Sequence, residues 1–285
     1  MTSTRLSSYD IQVSGFLRPA LLRARPRHLV TLLVIVALSA VLAAAELKDT
    51  AVRAFVQHAD EAQQSFVDRA GRAVGDTPKA ANALRSGDVV AGPGSGDGIL
   101  DVDGGLVHDW RAQILIPGVK LDQVLRLSRS YPDYPTIFHP VVAAKVLSQD
   151  GDHFRVQLRM RESAGGLSAT LDVRSNIVYT RVDPQHAFVV SRSEEIHEVK
   201  NANKPSESLL PPGEDSGYLW RARAMTRFVE DDSGVWMEMQ TLGLSRSFPP
   251  MIGWAIEPIA RRVGRRSAEA SLDEFKRAVL ARMGR

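Results

Sequence analysis

The stretch GYLWRARAMTRFVEDDSGVWMEMQ, residues 217–240, has the pattern of a β-hairpin. Small or apolar residues alternate with arginines in its first half, and turn-forming residues cluster between Asp231 and Gly234. Successive side chains of a strand point to opposite faces of the sheet, so the pattern predicts one buried face and one polar face. The buried face is expected to hold Tyr218, Trp220, Ala222, Ala224, Thr226 and Phe228.

The polar face of this hairpin carries Arg221, Arg223 and Arg227. When the second strand is paired in the same register, Glu238 falls among these arginines. The same register adds three residues to the buried face: Val235, Met237 and Met239. Exposed cross-strand ion pairs contribute only about 0.2 to 1 kcal/mol each. The sequence therefore predicts a solvated outer face, and an inward arginine that binds a ligand carboxylate is the alternative.

The charge of the chain is unevenly distributed. Among its 285 residues there are 36 basic and 33 acidic side chains, which give a net charge of +3. Five arginines and one aspartate precede residue 46, so the rest of the chain holds 31 basic and 32 acidic residues. A nucleic-acid-binding domain needs a positive excess, and the sequence excludes nucleic acid as a partner. The absence of cysteine also excludes disulfides and thiolate chemistry.

Residues 29–45, LVTLLVIVALSAVLAAA, form an uncharged run that follows the basic stretch RARPRH. Ala43 and Ala45 suit cleavage by a signal peptidase, while 17 residues is also near the length that crosses a bilayer. Residues 1–45 are therefore predicted to be a signal peptide or a retained N-terminal membrane anchor, with a buried core helix as the third alternative. In the first two cases the remainder is exported, either periplasmic or secreted, or tethered to the inner membrane by residues 29–45.

The rest of the chain divides into three segments by pattern. Residues 46–90 have the apolar spacing of a helical extension, and residues 91–105 read as a glycine-rich linker. From residue 106 to 285, a strand and a short helix are followed by about six antiparallel strands and a long C-terminal helix, which Pro258 and Gly264 are expected to kink or interrupt. A run of strands with helices at its ends predicts an α+β domain.

This order of elements resembles the START-like, Bet v 1-like superfamily, also called SRPBCC or helix-grip, over about residues 106–283. Segments such as GGLVHDWRAQILIPG, SYPDYPTIFHPVV and GYLWRARAMTRFVE also resemble a family of exported, uncharacterised bacterial proteins without assigned chemistry. The superfamily resemblance implies a curved antiparallel sheet of about six to seven strands wrapped around a long C-terminal helix, with an apolar cavity between them. Members of the superfamily bind lipids, sterols, quinones or polyketides, and some are enzymes.

The resemblance implies that the site is this cavity. We expect it to bind a hydrophobic or amphipathic small molecule, lipid-, quinone- or polyketide-like, without catalysis and without a cofactor or metal. The residues expected to line it are Trp220, Ala222, Ala224, Met237, Met239, Tyr134, Phe138 and Ile256. Ala222 and Ala224 stand where the resembling proteins often have a bulky residue, which indicates a larger or differently shaped cavity.

Two other functions stay open at this stage. A cyclase- or hydrolase-type enzyme would need polar groups inside the cavity, for example Arg221 or His197 turned inward. A structural or interaction module of the cell envelope would instead show an exposed apolar patch and a closed interior. Glu195 and His197 share a strand face but lack a third ligand for a metal. The arginine cluster at residues 261–266 fits either a solvated helix face or contact with anionic lipid headgroups.

Overall fold

The fold is taken from a computed structural model of the chain. It describes residues 47–75, 78–164, 167–211, 214–247 and 253–283, and within them the side chains of all but residues 78, 162–164, 167, 168, 253–257 and 259. The expectations for residues 1–45 therefore lie outside the described residues. None of the helices in the described ranges is both long enough and apolar enough to cross a membrane.

Within the described ranges, ten strands form one antiparallel sheet. They are β1 (Val90–Pro93), β2 (Ile99–Val102), β3 (Gly105–Pro117), β4 (Val141–Asp150), β5 (His153–Ala164), β6 (Leu167–Arg181), β7 (His186–Lys200), β8 (Ser208–Leu209), β9 (Arg221–Asp231) and β10 (Gly234–Ser245). Their order is β1-β3-β10-β9-β7-β6-β5-β4, with β2 paired to β3 and β8 paired to β7. The expected α+β class and curved antiparallel sheet are confirmed. The expected count of six to seven strands is wrong, because β1, β2 and β8 are too short to show an alternating pattern.

The helices lie before, within and after the run of strands. They are α1 (Asp49–Asp68), α2 (Pro78–Arg85), α3 (Leu121–Ser128), α4 (Tyr134–Ile137) and α5 (Gly253–Met283), with a 3-10 turn at Tyr131–Asp133. Helix α5 continues through Pro258 and Gly264, so the expected interruption is wrong. Pro258 lies in its second turn, where a proline removes one backbone hydrogen bond from a helix of 31 residues.

The pairing of β9 with β10 follows the register read from the alternating pattern. Met237 lies opposite Phe228, and Glu238 lies opposite Arg227. Because paired residues share a face of the sheet, Met237 and Phe228 point to the side where α3 and α5 lie, and Glu238 and Arg227 point to the side where α1 lies. We call the first side the concave face and the second the convex face.

Helix α1 covers the convex face over β9, β10 and the adjoining parts of β3 and β7, so this part of the face is not solvated. The helix buries Ala51, Phe55, Ala59 and Phe66 against Val107, Val190, Met225, Leu242 and Leu244 of the sheet. The side chains of Arg227 and Glu238 are 1% and 0% exposed. The expectation of a solvated arginine face is therefore wrong, because the preceding helix folds back over it.

A buried arginine holds the end of α1 on this face. Nη1 of Arg227 donates to the carbonyl oxygens of Arg69 and Arg72, both at 2.7 Å, and Nη2 donates to Glu238 Oε2 at 2.8 Å. The carbonyl groups at a helix C-terminus have no partners within the helix, so the guanidinium supplies donors to the chain just beyond α1. Glu238 also accepts from Gln113 Nε2 at 2.7 Å. Burial alone would raise the pKa of Glu238, but the charge and hydrogen bond of Arg227 hold that pKa below its usual value.

The segments expected to be an extension and a linker belong to the same sheet and core. Helix α1 carries the amphipathic pattern of the expected extension. The glycine-rich stretch contributes β2, and β1 overlaps its start; both strands pair with β3. A Cβ atom at Gly94 would lie 1.9 Å from Asp109 Oδ1, so this glycine is needed where the loop passes the buried carboxylate.

The outer edge of the sheet at β4 is irregular. Its pairing with β5 shifts register between Val141 and Ala143 and again between Val146 and Ser148. Register shifts of this kind are β-bulges, which bend a strand and interrupt its row of hydrogen-bonding groups. Lys145 is exposed between the two shifts.

Replacing Arg227 is expected to destabilise the fold strongly. In Arg227→Met, Glu238 would lose its closest ion-pair partner and keep only the longer contacts with Arg69 at 3.3 Å and Arg111 at 4.0 Å, and the carbonyls of Arg69 and Arg72 would lose the guanidinium donor. Breaking a buried pair in this way costs up to about 3 to 5 kcal/mol in the free energy of unfolding. The matched control is Arg155→Met, whose partner Glu194 lies on the surface and whose loss costs at most about 1 kcal/mol. Urea denaturation of both variants measures the difference, and equal losses would contradict a special role for Arg227.

Candidate ligand site on the concave face

One half of the concave face is filled by side chains. Over the part of the sheet near the β9–β10 turn, α3 and the second half of α5 form a continuous core with the strands. The helical residues of this core are Val124, Leu125, Leu127, Ala268, Leu272, Phe275 and Val279, and the strand residues include Ile114, Ile116, Phe154, Tyr179, Phe228 and Met237. These buried side chains fill this half of the concave face and leave no space for a ligand between them.

Helix α5 crosses the sheet at Trp110. A Cβ atom at Gly264 would lie 2.3 Å from Trp110 Nε1, far closer than any non-bonded contact allows. Gly98 approaches the six-membered ring of the same indole, since its Cβ would lie 2.7 Å from Cη2 and Cζ2. Gly264 therefore sets how closely α5 approaches the sheet. Beyond this crossing the main core ends, and a separate cluster buries Leu171 and Val173 against Leu219.

The other half of the concave face has a floor of small residues. On β9 the floor residues are Ala222 and Ala224; Gly243 and Thr241 lie opposite them on β10, and Ser191 lies opposite Ala224 on β7. All five are half-buried. The convex side of the same strand is sealed, with Arg223 only 8% and Met225 0% exposed. The exposed surface of the two alanines must therefore lie on the concave side. We call this set of five residues the floor.

The floor also presents hydroxyl groups. Within the described ranges, the side chains of Ser191 and of the neighbouring Thr226 have no hydrogen-bond partner. Thr241 Oγ1 is 3.5 Å from the carbonyl oxygen of Trp110, which is a weak contact at most. Ser193, next to the floor on β7, accepts the backbone N–H of Ala222 at 2.9 Å. The surface is thus mainly small and apolar, with hydroxyls that can donate to or accept from a bound molecule.

A neutral histidine lies at the margin of the floor. His108 is paired with Gly243 across the β3–β10 ladder, and its Nε2 is 2.8 Å from Ser245 Oγ. Burial lowers the pKa of His108 to about 4, because removal from water disfavours the charged imidazolium. At neutral pH the ring therefore carries no charge.

The residues expected to line one cavity are divided between different places. Ala222 and Ala224 belong to the floor, and Met239 is half-buried beside it. Met237 is part of the filled core. Ile256 lies in α5, but its side chain is outside the described residues. The ligand-binding role of these residues stays a prediction.

Tyr134 and Phe138 lie at the filled end of the concave face. Tyr134 donates its hydroxyl to the carbonyl oxygen of Ser128 at 2.6 Å, and the ring of Phe138 stacks on Phe275 at 6.3 Å between centroids. Phe138 also borders an open groove of about 400 Å³ beside Ala278. Neither residue adjoins Ala222 or Ala224 in the sheet, so the expectation of one continuous lining is corrected.

Trp220 lies on the convex side and not in the cavity. Its ring belongs to the cluster under α1, and its Nε1 donates to Asp215 at 2.8 Å. Leu219 takes the concave position instead, because its Cδ1 is 3.0 Å from the place of a Cβ at Gly243. The alternation fails here because β9 begins only at Arg221. The side chains of the residues before it need not alternate between the two faces of the sheet.

The polar residues considered for catalysis do not meet on the concave face. Arg221 pairs with Leu244, and His197 pairs with Asp172; both pairs lie on the convex side of their strands. His197 Nε2 is 3.7 Å from Glu195 Oε2 at the surface. Among the described residues, no group of three or more His, Cys, Asp or Glu side chains could hold a metal ion.

The structure assembles a serine, a histidine and an aspartate that the sequence did not single out. His58 of α1 places Nε2 3.1 Å from Asp109 Oδ2, and Ser95 Oγ donates to the same oxygen at 2.8 Å. Ser95 Oγ is also 3.3 Å from that same Nε2. A nucleophile activated by histidine needs its carboxylate on the opposite ring nitrogen, so this is no catalytic triad. Together with Gln240, which donates at 2.8 Å, the cluster instead satisfies a buried carboxylate.

The depressed pKa of His108 predicts how stability depends on pH. The unfolded chain binds this proton near pH 6.5 and the folded chain only near pH 4. The free energy of unfolding therefore decreases as the pH falls from about 6.5 towards 4. We expect His108→Asn to lose less stability than the wild type between pH 7 and pH 5; His153→Asn, at the exposed first residue of β5, is the matched control. Denaturation at several pH values measures this, and an NMR titration of the His108 ring near pH 6.5 would contradict it.

No protein-family model matches the chain, and no curated protein sequence matches it either. Among solved structures, a fragment of a STAR-related lipid transfer protein from Xanthomonas axonopodis is 16% identical, with 64% of this chain and 99% of that chain covered and a TM-score of 0.42. The Zhui aromatase/cyclase from a Streptomyces species is 13% identical over 62% and 96% of the two chains, also with a TM-score of 0.42. Human STARD10 is 10% identical over 74% and 84%, again with a TM-score of 0.42.

Sequence identities of 10% to 16% and TM-scores of 0.42 establish no shared ligand or activity. The resemblance to a family of exported bacterial proteins stays a prediction as well. What this chain's own elements establish is the arrangement itself, in which a curved antiparallel sheet of ten strands holds the long C-terminal helix α5 on its concave face. The protein has the helix-grip fold.

Proposed function

We propose that the open half of the concave face binds a hydrophobic or amphipathic small molecule, lipid-, quinone- or polyketide-like, between the floor and α5. The observation that carries this proposal is the half-burial of Ala222 and Ala224 in a central strand of the sheet, where the opposite face of the same strand is sealed. Large apolar side chains fill the equivalent space in the other half.

The chemistry of the floor favours a molecule with a large apolar surface and a few oxygen atoms. Each 100 Å² of apolar surface removed from water contributes about 2.5 kcal/mol, and the small floor residues leave room for a flat or chain-like group. The hydroxyls of Ser191 and Thr226 supply the few polar contacts that orient ligands in mostly apolar sites. Binding rather than catalysis is favoured, because Arg221 and His197 lie on the opposite side of the sheet.

The cell-envelope interaction module has less support. It required an apolar patch on the outer surface, and α1 covers the apolar residues of the convex face. The seven large hydrophobic side chains that are exposed in the described ranges are distributed over the surface: Val56, Leu100, Val142, Val182, Leu209, Leu280 and Met283.

Filling the floor is expected to weaken binding without unfolding the protein. Ala224→Phe would place a ring above the floor, in the space assigned to the ligand. The amount of small molecule that co-purifies with the full chain, extracted with organic solvent and quantified by mass spectrometry, should fall about tenfold, which corresponds to about 1.4 kcal/mol in binding free energy. Circular dichroism verifies the fold.

The matched control is Ala143→Phe, which adds the same side chain at an exposed position on the edge strand β4. It should retain the ligand content of the wild type and corrects for lipid that adheres non-specifically. Equal ligand content in a folded Ala224→Phe variant would refute the proposal.

A further inference from the structure

Trp110 lies in the same row of the sheet as part of the floor. It pairs with Thr241 on β10, Thr241 pairs with Ala224 on β9, and Ala224 pairs with Ser191 on β7. Its side chain packs in the core of the concave face and is only 6% exposed. Because paired residues share a face of the sheet, the indole borders the floor at its β3 end, where α5 crosses.

The indole N–H of Trp110 has no acceptor among the described residues, and its Nε1 is shielded from solvent. The other two tryptophans whose side chains are described both have one. Trp220 donates to Asp215 at 2.8 Å, and Trp236 donates to Asp231 at the same distance. Buried donors nearly always have a partner, because an unpaired buried donor is unfavourable. The N–H of Trp110 is therefore an unused donor beside the floor.

This donor differs from the other buried nitrogen atoms that lack a partner. Among the described side chains, those are the Nε atoms of four arginines: Arg69, Arg129, Arg174 and Arg227. Each of these guanidinium groups donates through a terminal nitrogen, whereas an indole has a single donor. Of these five described side chains, Trp110 alone has no donor in use.

Gly264 of α5 does not occupy the line of this N–H bond. A Cβ atom at Gly264 would lie 2.3 Å from Nε1, 2.6 Å from Cε2 and 2.8 Å from Cδ1 of Trp110. An atom on the N–H line would be much farther from both carbons than from the nitrogen, whereas an atom above the ring is at similar distances from all three. Gly264 therefore lies over the face of the ring and not on the N–H line, where a hydrogen-bond acceptor has to lie.

The described side chains around this donor offer no free charge. The floor consists of alanine, glycine, serine and threonine. His108, on the same face of β3, is neutral at pH 7 because burial lowers its pKa to about 4. Arg261, about one turn before Gly264 on α5, is paired with Asp97 at 2.6 Å. An ionised ligand group would lose its hydration here without a counter-charge from these residues, so the surroundings favour an uncharged ligand.

We propose that the molecule bound on the floor is uncharged and that a carbonyl oxygen of it, from a ketone, quinone or ester, accepts the indole N–H of Trp110. This inference rests on the proposed function and narrows the class of ligand. The carbonyl supplies the missing acceptor, and the apolar remainder of the molecule covers Ala222 and Ala224. Ionised fatty acids lack a counter-charge on this surface, and plain hydrocarbons lack an acceptor.

Three probes of similar size and shape separate these features: menadione, which is a naphthoquinone, its hydrocarbon counterpart methylnaphthalene, and the carboxylate naphthoate. Since the chain has no cysteine, the quinone has no thiol with which to react. Equilibrium dialysis at pH 7 measures the affinity of each probe for the full-length wild type, Trp110→Phe and Trp236→Phe. Trp236→Phe is the matched control, because this indole N–H is already paired and lies on the convex side, next to Met237 in the strand.

We expect Trp110→Phe to lower the affinity for menadione, relative to that for methylnaphthalene, by about fivefold, the usual contribution of one hydrogen bond. Trp236→Phe should leave this ratio of affinities unchanged. Naphthoate should bind the wild type more weakly than menadione does. An unchanged ratio in Trp110→Phe, or tighter binding of naphthoate than of menadione, would overturn the proposal.

A second measurement does not need a folded Trp110 variant. The four tryptophans of the chain give four indole N–H signals in NMR spectra of protein with ¹⁵N-labelled tryptophan. Replacing the other three tryptophans one at a time assigns the Trp110 signal by elimination. Menadione should move this proton signal downfield, and methylnaphthalene should not. A Trp110 signal that stays in place while menadione binds contradicts the carbonyl contact.

The results distinguish a failure of this inference from a failure of the proposed function. If Ala224→Phe weakens the binding of menadione and methylnaphthalene alike, while Trp110→Phe leaves their ratio unchanged, the floor binds ligands and the carbonyl contact is refuted. If Ala224→Phe leaves both affinities unchanged, the floor is not the binding surface and both proposals fail. A wild type that binds none of the three probes overturns the present inference, and the ligand content of the purified protein then still tests the proposed function.

Discussion

The guanidinium of Arg227 is the contact on which the two-layered arrangement depends. It neutralises Glu238 and at the same time provides hydrogen bonds to the chain that leaves α1. A buried carboxylate or a helix end without such a partner would cost several kcal/mol. With α1 held in this way, the convex side of β9 is closed at Arg223 and Met225, so the accessible surface of Ala222 and Ala224 must belong to the concave face. The assignment of a binding surface to Ala222 and Ala224 follows from that closure.

The sequence predicted the strand pairing well because alternation is a local property. The opposition of Met237 to Phe228 and of Glu238 to Arg227 follows from counting residues on either side of the turn at Asp231. Alternation does not reveal what covers a face. Arginines on a strand look the same whether water or a helix faces them, and the partner of Arg227 includes backbone carbonyls about 155 residues earlier in the chain.

Because local patterns do not show long-range contacts, the sequence predicted only part of the candidate site. Ala222 and Ala224 could be singled out because two small residues interrupt a run of large ones. The serine and threonine contributions from β7 and β10 could not, since they depend on long-range pairing that no local pattern reports. The alternation predicts the wrong face for Trp220 because β9 begins only at the next residue, Arg221. Leu219 and Trp220 thereby exchange faces, which brings a leucine to the floor and an indole under α1.

The irregular edge at β4 affects how these molecules can coexist at high density. A straight, unprotected edge strand invites the same strand of another molecule to extend the sheet. Two register shifts within ten residues break the row of backbone groups at β4, and Lys145 adds a charge that would have to be desolvated. Neighbouring copies crowded into a small area would therefore find no regular row of backbone groups at β4 with which to extend the sheet.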